Sequence, residues 1–371
     1  MEPGRRRAWV ALGLLLAAHP SLKRRLKPGS SNDEEGFDGS EESLDKALAL
    51  LPPGTGDIFR GDFREWADKQ IFAAGNTGVA IVTWEDATYP PLLRRLPDPP
   101  PSLYVKGALA SMDRGSVAVV GSRRASLYGT RVAEELGGEL AAWGVTVVSG
   151  AARGIDSAAH RGSLACGGPT VGVLGTGIDV VYPKENAALL DRISRCGALV
   201  TEYPMEAPPL AQHFPVRNRI IAGLSHAVVV VEAARDSGSL ITARLAADEL
   251  GLPVGVVPGP ITSQTSQGCN DMIYDGAVPV RDVQDILDLL PDGARRRAHG
   301  LPVEDASDAA EGLDPEVRRA LDRLDTHVAQ SADELAASLQ LASGVLLGHL
   351  LELEVKGLAA RLPGGMYIKK H

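Results

Sequence analysis

The sequence predicts an α/β protein built on a doubly wound, mainly parallel sheet, with a small helical module after it. Three observations carry that expectation. Apolar runs of strand length recur at Val117–Val120, Val145–Val148, Thr170–Leu174, Ala198–Thr201, Ala227–Val231, Pro253–Val257 and Ala277–Val280. Helical patterns separate most of them, at Arg131–Trp143, Ile155–Ala165, Ala187–Arg195 and Leu240–Leu250. The runs are rich in β-branched residues and apolar on both faces, as strands covered by helices on either side must be. Ligands of such sheets bind beyond the carboxyl ends of the strands. The loops at that end are Gly121–Arg124, Ser149–Asp156, Gly175–Asn186, Pro204–Asn218, Ala234–Ser239 and Pro258–Asn270.

Around this core, 371 residues suffice for two or three domains. Residues 1–77 form a poorly defined, partly disordered N-terminal region, with a polar stretch at Gly29–Glu42. Residues 78–115 read as a connector packing on the core, whose proline cluster favours extended backbone. The core domain spans 116–290, and 291–312, rich in Ala, Arg, Gly and Asp, reads as a linker. Residues 313–371 contain helical patterns at Pro315–Leu324, Ala332–Leu339 and Ser343–Lys356. Two short strands follow around the turn Pro363-Gly364-Gly365. Three helices and a hairpin have the pattern of a winged helix.

Composition narrows the function. The formal net charge is −9, so a nucleic-acid site has to be a local basic patch on an acidic body. Three widely spaced cysteines (Cys166, Cys196, Cys269) fit neither a disulfide framework nor a zinc cluster, and read as reduced thiols of a cytoplasmic protein. Arg5-Arg6-Arg7 followed by Ala8–Ala18 has the charged and apolar parts of a signal peptide. The apolar run is too short to span a bilayer, and a short buried or poorly ordered helix is expected instead.

Five sequence features at the strand ends are candidate polyanion contacts. Gly121-Ser122-Arg123-Arg124 closes the first strand of the core: Gly121 allows close approach of a phosphate, Ser122 donates a hydrogen bond and the arginines supply charge. The same residues also make an ordinary βα turn. Ser149–Asp156 is a Gly-bearing turn in which Asp156 either caps the next helix or shapes a ligand loop, and His160 on that helix is expected to be packed. Lys184 can reach a phosphate, and Tyr182 can pack on a base or on the sheet. The segment Phe214-Pro215-Val216-Arg217-Asn218-Arg219 reads as a basic loop with an aromatic face, the combination that single-stranded nucleic acid requires. Arg219 has a second reading, as the partner of a buried carboxylate such as Glu202 or Glu232. Ser237-Gly238-Ser239 opens a helix and can bind an anion or cap itself. Gly175-Thr176-Gly177 lacks the third glycine of the dinucleotide fingerprint, and no Walker A motif, spaced Cys/His set or assignable Ser/His/Asp group occurs.

Taken together, these residues resemble the DNA-processing protein A family (DprA, also called Smf). The resemblance runs from Thr83 to Leu290 through Tyr89-Pro90, Val119-Val120-Gly121-Ser122-Arg123, Ser149-Gly150 with Ala152-Arg153-Gly154-Ile155-Asp156, and Ala159-His160. It continues through Tyr182-Pro183 with Asn186, Glu202-Tyr203-Pro204, the block Phe214–Thr242, Pro258-Gly259 and Gly268-Cys269-Asn270. It implies a Rossmann-like domain that binds single-stranded DNA, dimerises and loads the RecA recombinase during natural transformation, with no enzymatic reaction, no cofactor and no membrane. Ala151 departs from the leucine usual in its loop, and the N-terminal helical domain common in the family is not recognisable before Ser43.

Two other classes fit these residues less well. A nucleotide phosphoribohydrolase on a related fold needs a carboxylate near the helix after the fifth core strand, where this chain has Ala243 and Arg244. A ligand-sensing winged-helix transcription factor needs a basic recognition helix, whereas Ser343–Lys356 carries Glu352 and Glu354.

Overall fold

The computed structural model describes residues 2–19, 22–23, 26–28, 36–50, 62–109, 115–291, 313–324, 330–356, 358–362 and 365–369. The chain divides into two compact units, Met1–Ala298 and His299–His371.

In the first unit, helix α1 (Pro3–Ala18) is followed by the strand pair β1 (Lys27–Pro28) and β2 (Gly36–Phe37), then α2 (Glu41–Ala49) and α3 (Asp62–Asn76). Strand β3 (Ala80–Thr83), a 3-10 turn at Pro91–Arg95 and strand β4 (Ser102–Gly107) come next. The alternating part then runs β5 (Ser116–Val120), α4 (Leu127–Ala142), β6 (Thr146–Ser149), α5 (Ile155–Ala165), β7 (Thr170–Val173), α6 (Ala187–Cys196) and β8 (Ala198–Thr201). It continues with α7 (His213–Gly223), β9 (Ala227–Val230), α8 (Gly238–Asp248), β10 (Val254–Val256), α9 (Gln267–Tyr274), β11 (Val278–Pro279) and α10 (Val283–Asp288).

The strands form one nine-stranded sheet in the order β11-β10-β9-β5-β6-β7-β8-β4-β3. From β11 to β8 every pairing is parallel, while β4 runs antiparallel to β8 and β3 antiparallel to β4. All seven expected core strands are present, and β5 through β10 are buried along their whole length. Strands β3 and β4, within the connector, extend the sheet at one edge.

From β5 the chain winds out through β6, β7 and β8, then returns to β9 on the opposite side of β5 and winds the other way. The reversal leaves a crevice at the tips of β5 and β9, where doubly wound sheets bind their ligands. Helices α4 and α5 cover this region backbone to backbone. A Cβ on Gly137 would lie 2.3 Å from the Ala159 carbonyl oxygen, and one on Gly162 would lie 1.9 Å from that of Glu134.

The apolar run after the arginines is a buried helix, the first of the two readings the sequence allowed. Residues 8–16 of α1 are all buried, and α1 packs on α2, α3 and the β3–β4 edge. An apolar stripe all round a helix stabilises it only where every side is covered. The three arginines ahead of that run hold ion pairs: Arg5 with Glu85, Arg6 with Asp86, and Arg7 with Glu41 and Asp68. Of the polar stretch Gly29–Glu42, residues 36–42 lie in β2 and the start of α2, whose cap is Ser40 accepting from the Ser43 N–H. Residues 29–35 lie outside the described residues, as does the expected linker beyond Pro291. No single helix among the described residues is long and apolar enough to cross a membrane.

The second unit is a winged helix. Helices α11 (Pro315–Arg323), α12 (Ala332–Leu339) and α13 (Ser343–Val355) pack around Val317, Leu321, Leu335, Leu346, Leu350 and Leu353. A short strand β12 (Gln330–Ser331), not foreseen from sequence, joins the expected hairpin β13 (Ala359–Leu362) and β14 (Met366–Lys369) in a three-stranded sheet. Ser331 and Glu334 close a capping box at the start of α12.

Candidate nucleic-acid interface

The loop after β5 is pinned from both sides of the crevice. The Ser122 N–H donates to the Glu232 carbonyl at 2.6 Å, and the Ser122 carbonyl accepts from the Ile155 N–H at 3.2 Å. Gly121 is obligatory, since a Cβ there would lie 2.6 Å from Ile155 and 2.8 Å from the Glu232 carbonyl. Ser122 Oγ accepts from the Arg124 N–H at 3.1 Å, so the hydroxyl shapes the turn. The side chains of Arg123 and Arg124 point out of this fixed turn into solvent.

Next to them, at the tips of β6 and β7, lies a cleft floored by Gly150, Leu174 and Gly175 and walled by Arg153, Tyr182 and Phe214. Phe214 is half-buried against Tyr182, with ring centroids 5.3 Å apart. The Arg123 guanidinium lies over the Phe214 ring at 5.0 Å. Only glycine at position 175 admits that ring, because a Cβ would sit 2.9 Å from Phe214 Cδ1. Arg153 pairs with Glu185, while Lys184 is exposed on the neighbouring loop. Among the described residues Arg123, Arg124 and Lys184 form no ion pair. Asn186 underlies the cleft, its Nδ2 donating to the Ala151 carbonyl at 3.0 Å and to Ser157 Oγ at 2.8 Å.

Arg217 and Arg219 overturn the basic-loop reading. Both lie inside helix α7, with exposures of 3% and 5%. Pro215 suggested a loop, but it occupies the first turn of α7, where the missing N–H has no helical partner to lose. Arg217 turns inward and donates to the carbonyls of Gly150, at 2.9 Å, and Val173. Burial pulls its pKa down to about 10 against the pull of Asp156, so it stays charged at neutral pH. Burial also pushes the Asp156 carboxyl up, opposed by Arg217 and by the Ala152 N–H, which donates to it at 3.3 Å. The pair acts as a brace beneath the cleft.

Arg219 makes the structural pairing that its second reading allowed, with Glu202. Its guanidinium donates to Glu202 Oε1 at 2.8 Å and Oε2 at 2.7 Å, while Nε donates to Asp98 at 2.8 Å. Lys23 Nζ completes the network, 2.9 Å from Glu202 Oε2. Burial opposes the Glu202 carboxylate, yet Arg219 and Lys23 outweigh it and hold the carboxyl at about 2. Glu232 is engaged elsewhere, accepting from Ser126 N and Oγ at the start of α4, where the helix dipole favours its charge. Lys23 and Asp98 were invisible to sequence reasoning, because their partners are far away in the chain.

The remaining candidates have local roles. Asn218 Nδ2 donates to the Gly238 carbonyl at 3.2 Å, tying α7 to the start of α8. Ser237 caps α8, with its Oγ 2.8 Å from that of Ser239. Ser239 is buried, whereas Gly238 and half-buried Ser237 face solvent beside the crevice. His160 is packed as expected, its Nδ1 2.6 Å from Thr170 Oγ1, and burial holds its pKa down at about 3.

The fold and the rim around this cleft define a class: Rossmann-like α/β proteins joined to a C-terminal winged helix. A family model described as DNA recombination-mediator protein A matches residues 80–291, and one described as the DprA winged helix domain matches residues 304–365. The chain belongs to the DNA recombination-mediator protein A family. It is 40% identical over 294 residues to Protein Smf of Escherichia coli, covering 77% of this chain and 76% of the relative. The X-ray structure of DNA processing protein A from Streptococcus pneumoniae superposes with a TM-score of 0.56 at 40% identity, over 62% of this chain and 82% of that one. The Helicobacter pylori DNA processing protein A, whose structure is described by its single-stranded DNA binding mode, matches with a TM-score of 0.51 at 30% identity. That match covers 56% of this chain and 94% of the other.

Proposed function

We propose that this protein binds single-stranded DNA in DNA processing during natural transformation, protecting the incoming strand and loading a RecA recombinase onto it. The observation that carries the reading is the rim of Arg123, Arg124 and Lys184 around the half-buried aromatics Phe214 and Tyr182. A single strand offers phosphates to such cations and an unstacked base to such rings. Family membership supports the role, as does the relative from Helicobacter pylori described by its single-stranded DNA binding. In this reading the protein is a cytoplasmic homodimer that associates through its α/β unit, and it acts by binding, without catalysis. Gly121, Ser122, Ser237 and Gly238 line the route, while Asn218, Arg217, Arg219 and Ser239 hold the elements that form it.

The test compares single-stranded with duplex DNA by fluorescence anisotropy across a salt series. Tighter binding of the single strand is expected, with the salt slope falling by about 0.7 for each of Arg123→Ala and Arg124→Ala. Parent-like slopes and affinities in both variants would place the site elsewhere.

A further inference from the structure

One part of the strand-end surface lies outside the cleft and its rim. On the far side of the β5/β9 crevice, the start of α4 and the loop after β10 meet around a shallow depression lined by Tyr128, Pro258, Gly259 and Pro260. Tyr128 is 52% exposed; its chain neighbour Leu127 is 92% exposed, and Ile261, the residue after Pro260, is 87% exposed. Three large apolar side chains so open to water on a rigid part of a domain call for an occupant.

The platform is built rigidly. Asn270 clamps Gly259 with both ends of its amide: Nδ2 donates to the Gly259 carbonyl at 3.0 Å and Oδ1 accepts the Gly259 N–H at 3.3 Å. Ser266 packs where a Gly259 Cβ would lie, 2.2 Å from its Oγ. Gly268 fits beneath the carbonyls of Ala233 and Ala234, at 2.8 and 2.7 Å from its would-be Cβ, which seats buried Cys269 and brings Asn270 to the clamp. The Tyr128 hydroxyl donates to the Pro258 carbonyl at 3.4 Å, holding the ring beside the loop. The motif Pro258-Gly259 with Gly268-Cys269-Asn270 therefore has a structural task that the cleft does not use.

We propose that Tyr128, Leu127 and the Pro258–Ile261 loop form a second base-binding platform that continues the single-strand path past Arg124. The inference rests on the single-strand reading of the cleft. Its geometry follows from the strand order. The cleft sits at the tips of β6 and β7, the free arginines at β5, and the platform at β10, two strands beyond β5. Neighbouring strands lie about 4.8 Å apart, so the platform begins roughly 10 Å past the arginines. A strand held by its phosphates at Arg123 and Arg124 delivers its next bases to Tyr128. An exposed tyrosine ring beside a proline-rich loop recognises the faces of unstacked bases, whatever their sequence. Asn270 is a positioning residue that keeps the loop beside the ring.

Oligothymidines of about six and about fifteen nucleotides separate the platform from the cleft. Tyr128→Ala is expected to weaken the longer strand about tenfold, to leave the shorter one within twofold, and to leave the salt slope unchanged. Tyr128→Phe should restore the longer strand, and Asn270→Ala should reproduce the length-dependent loss in a protein whose thermal midpoint is tracked in parallel. If Arg124→Ala weakens both strands while Tyr128→Ala weakens neither, the platform is refuted and the cleft stands. If Arg124→Ala changes nothing, the cleft reading itself fails. Conversion of a dimer to a monomer by Tyr128→Ala in sedimentation would show that a second copy of the chain, and not DNA, occupies the platform.

Discussion

At the scale of single residues, the two arginines of α7 separate stability from binding. Arg219→Ala leaves Glu202 buried with Lys23 as its remaining cation, and uncompensated buried charge of this kind costs about 3–5 kcal/mol. A urea midpoint well below that of the parent is expected, and Arg219→Lys should recover little of it, since an ammonium cannot reproduce the two-pronged contact. Arg123→Ala and Arg124→Ala should leave the same midpoint unchanged. Two buried groups contribute to the response to acid. The folded state holds His160 at about 3 against an ordinary value of 6.5. As pH falls below 6.5 the unfolded chain takes up a proton that the folded one refuses, so stability declines throughout that interval. Glu202 is held at about 2 against an ordinary 4.5, so its contribution is complete above 4.5 and lost between 4.5 and 2. Between pH 6.5 and 4.5 His160 therefore contributes a slope of at most about 1.4 kcal/mol per pH unit. Unfolding free energies of His160→Gln measured over that window should show a flatter slope; one as steep as the parent's would assign the acid response to other groups.

Elements show which sequence signals could be trusted. The buried strands were legible because a parallel sheet imposes one requirement, apolar on both faces, that no surface segment meets. Helix α7 was legible only from Ile220 onward. Its first two turns carry a proline and two arginines, which ordinarily mark a solvated loop, and only the tertiary fold reveals the buried carbonyls and carboxylates that accept the guanidiniums. The positions of Arg123, Arg124 and Lys184 were legible for the opposite reason: loops that leave the carboxyl ends of strands put such side chains in solvent. For helix α1 the sequence left burial and poor order open, because its cover comes from α2, α3 and the β3–β4 edge, none of which announces itself as a partner. Glycines in helices divide the same way. Gly162→Ala drives a methyl into the Glu134 carbonyl at the α4–α5 crossing, and an overpacked contact of this kind costs about 1–3 kcal/mol or more. Gly348→Ala in α13 meets nothing within 4 Å and should stabilise its helix by about 1 kcal/mol. Opposite shifts in the midpoints of the two variants are the expected outcome.

At the scale of the molecule, every residue of the proposed single-strand site lies in the first unit. The exposed face of α13 presents Leu347, Leu351 and Val355, together with Glu354, and no lysine or arginine precedes Lys356 in it. Removing residues 299–371 should leave affinity for single strands within a few-fold, and sedimentation of the remaining fragment should still report a dimer. A hundredfold loss of affinity would move the principal site to the winged helix, and a monomer would assign dimerisation to it. Deletion of α1 should be far less tolerated. It uncovers the apolar faces of α2 and α3 and the β3–β4 edge, and each large aliphatic side chain buried there contributes about 1.5–3 kcal/mol. Loss of soluble protein, or a sharply lowered thermal midpoint, is the expected result.

The contact between Lys23 and Glu202 also sets an order of events in time. The two residues are 179 positions apart, so the ammonium leaves the ribosome long before the carboxylate and guanidinium that will hold it. Closing so long a loop is slow, and little is gained until the strands on either side are in place. The network therefore closes after the sheet has assembled, as the last latch on a domain that is already formed. Lys23→Met should then hasten unfolding while leaving the refolding rate nearly untouched, the signature of an interaction that acts as a brake on opening.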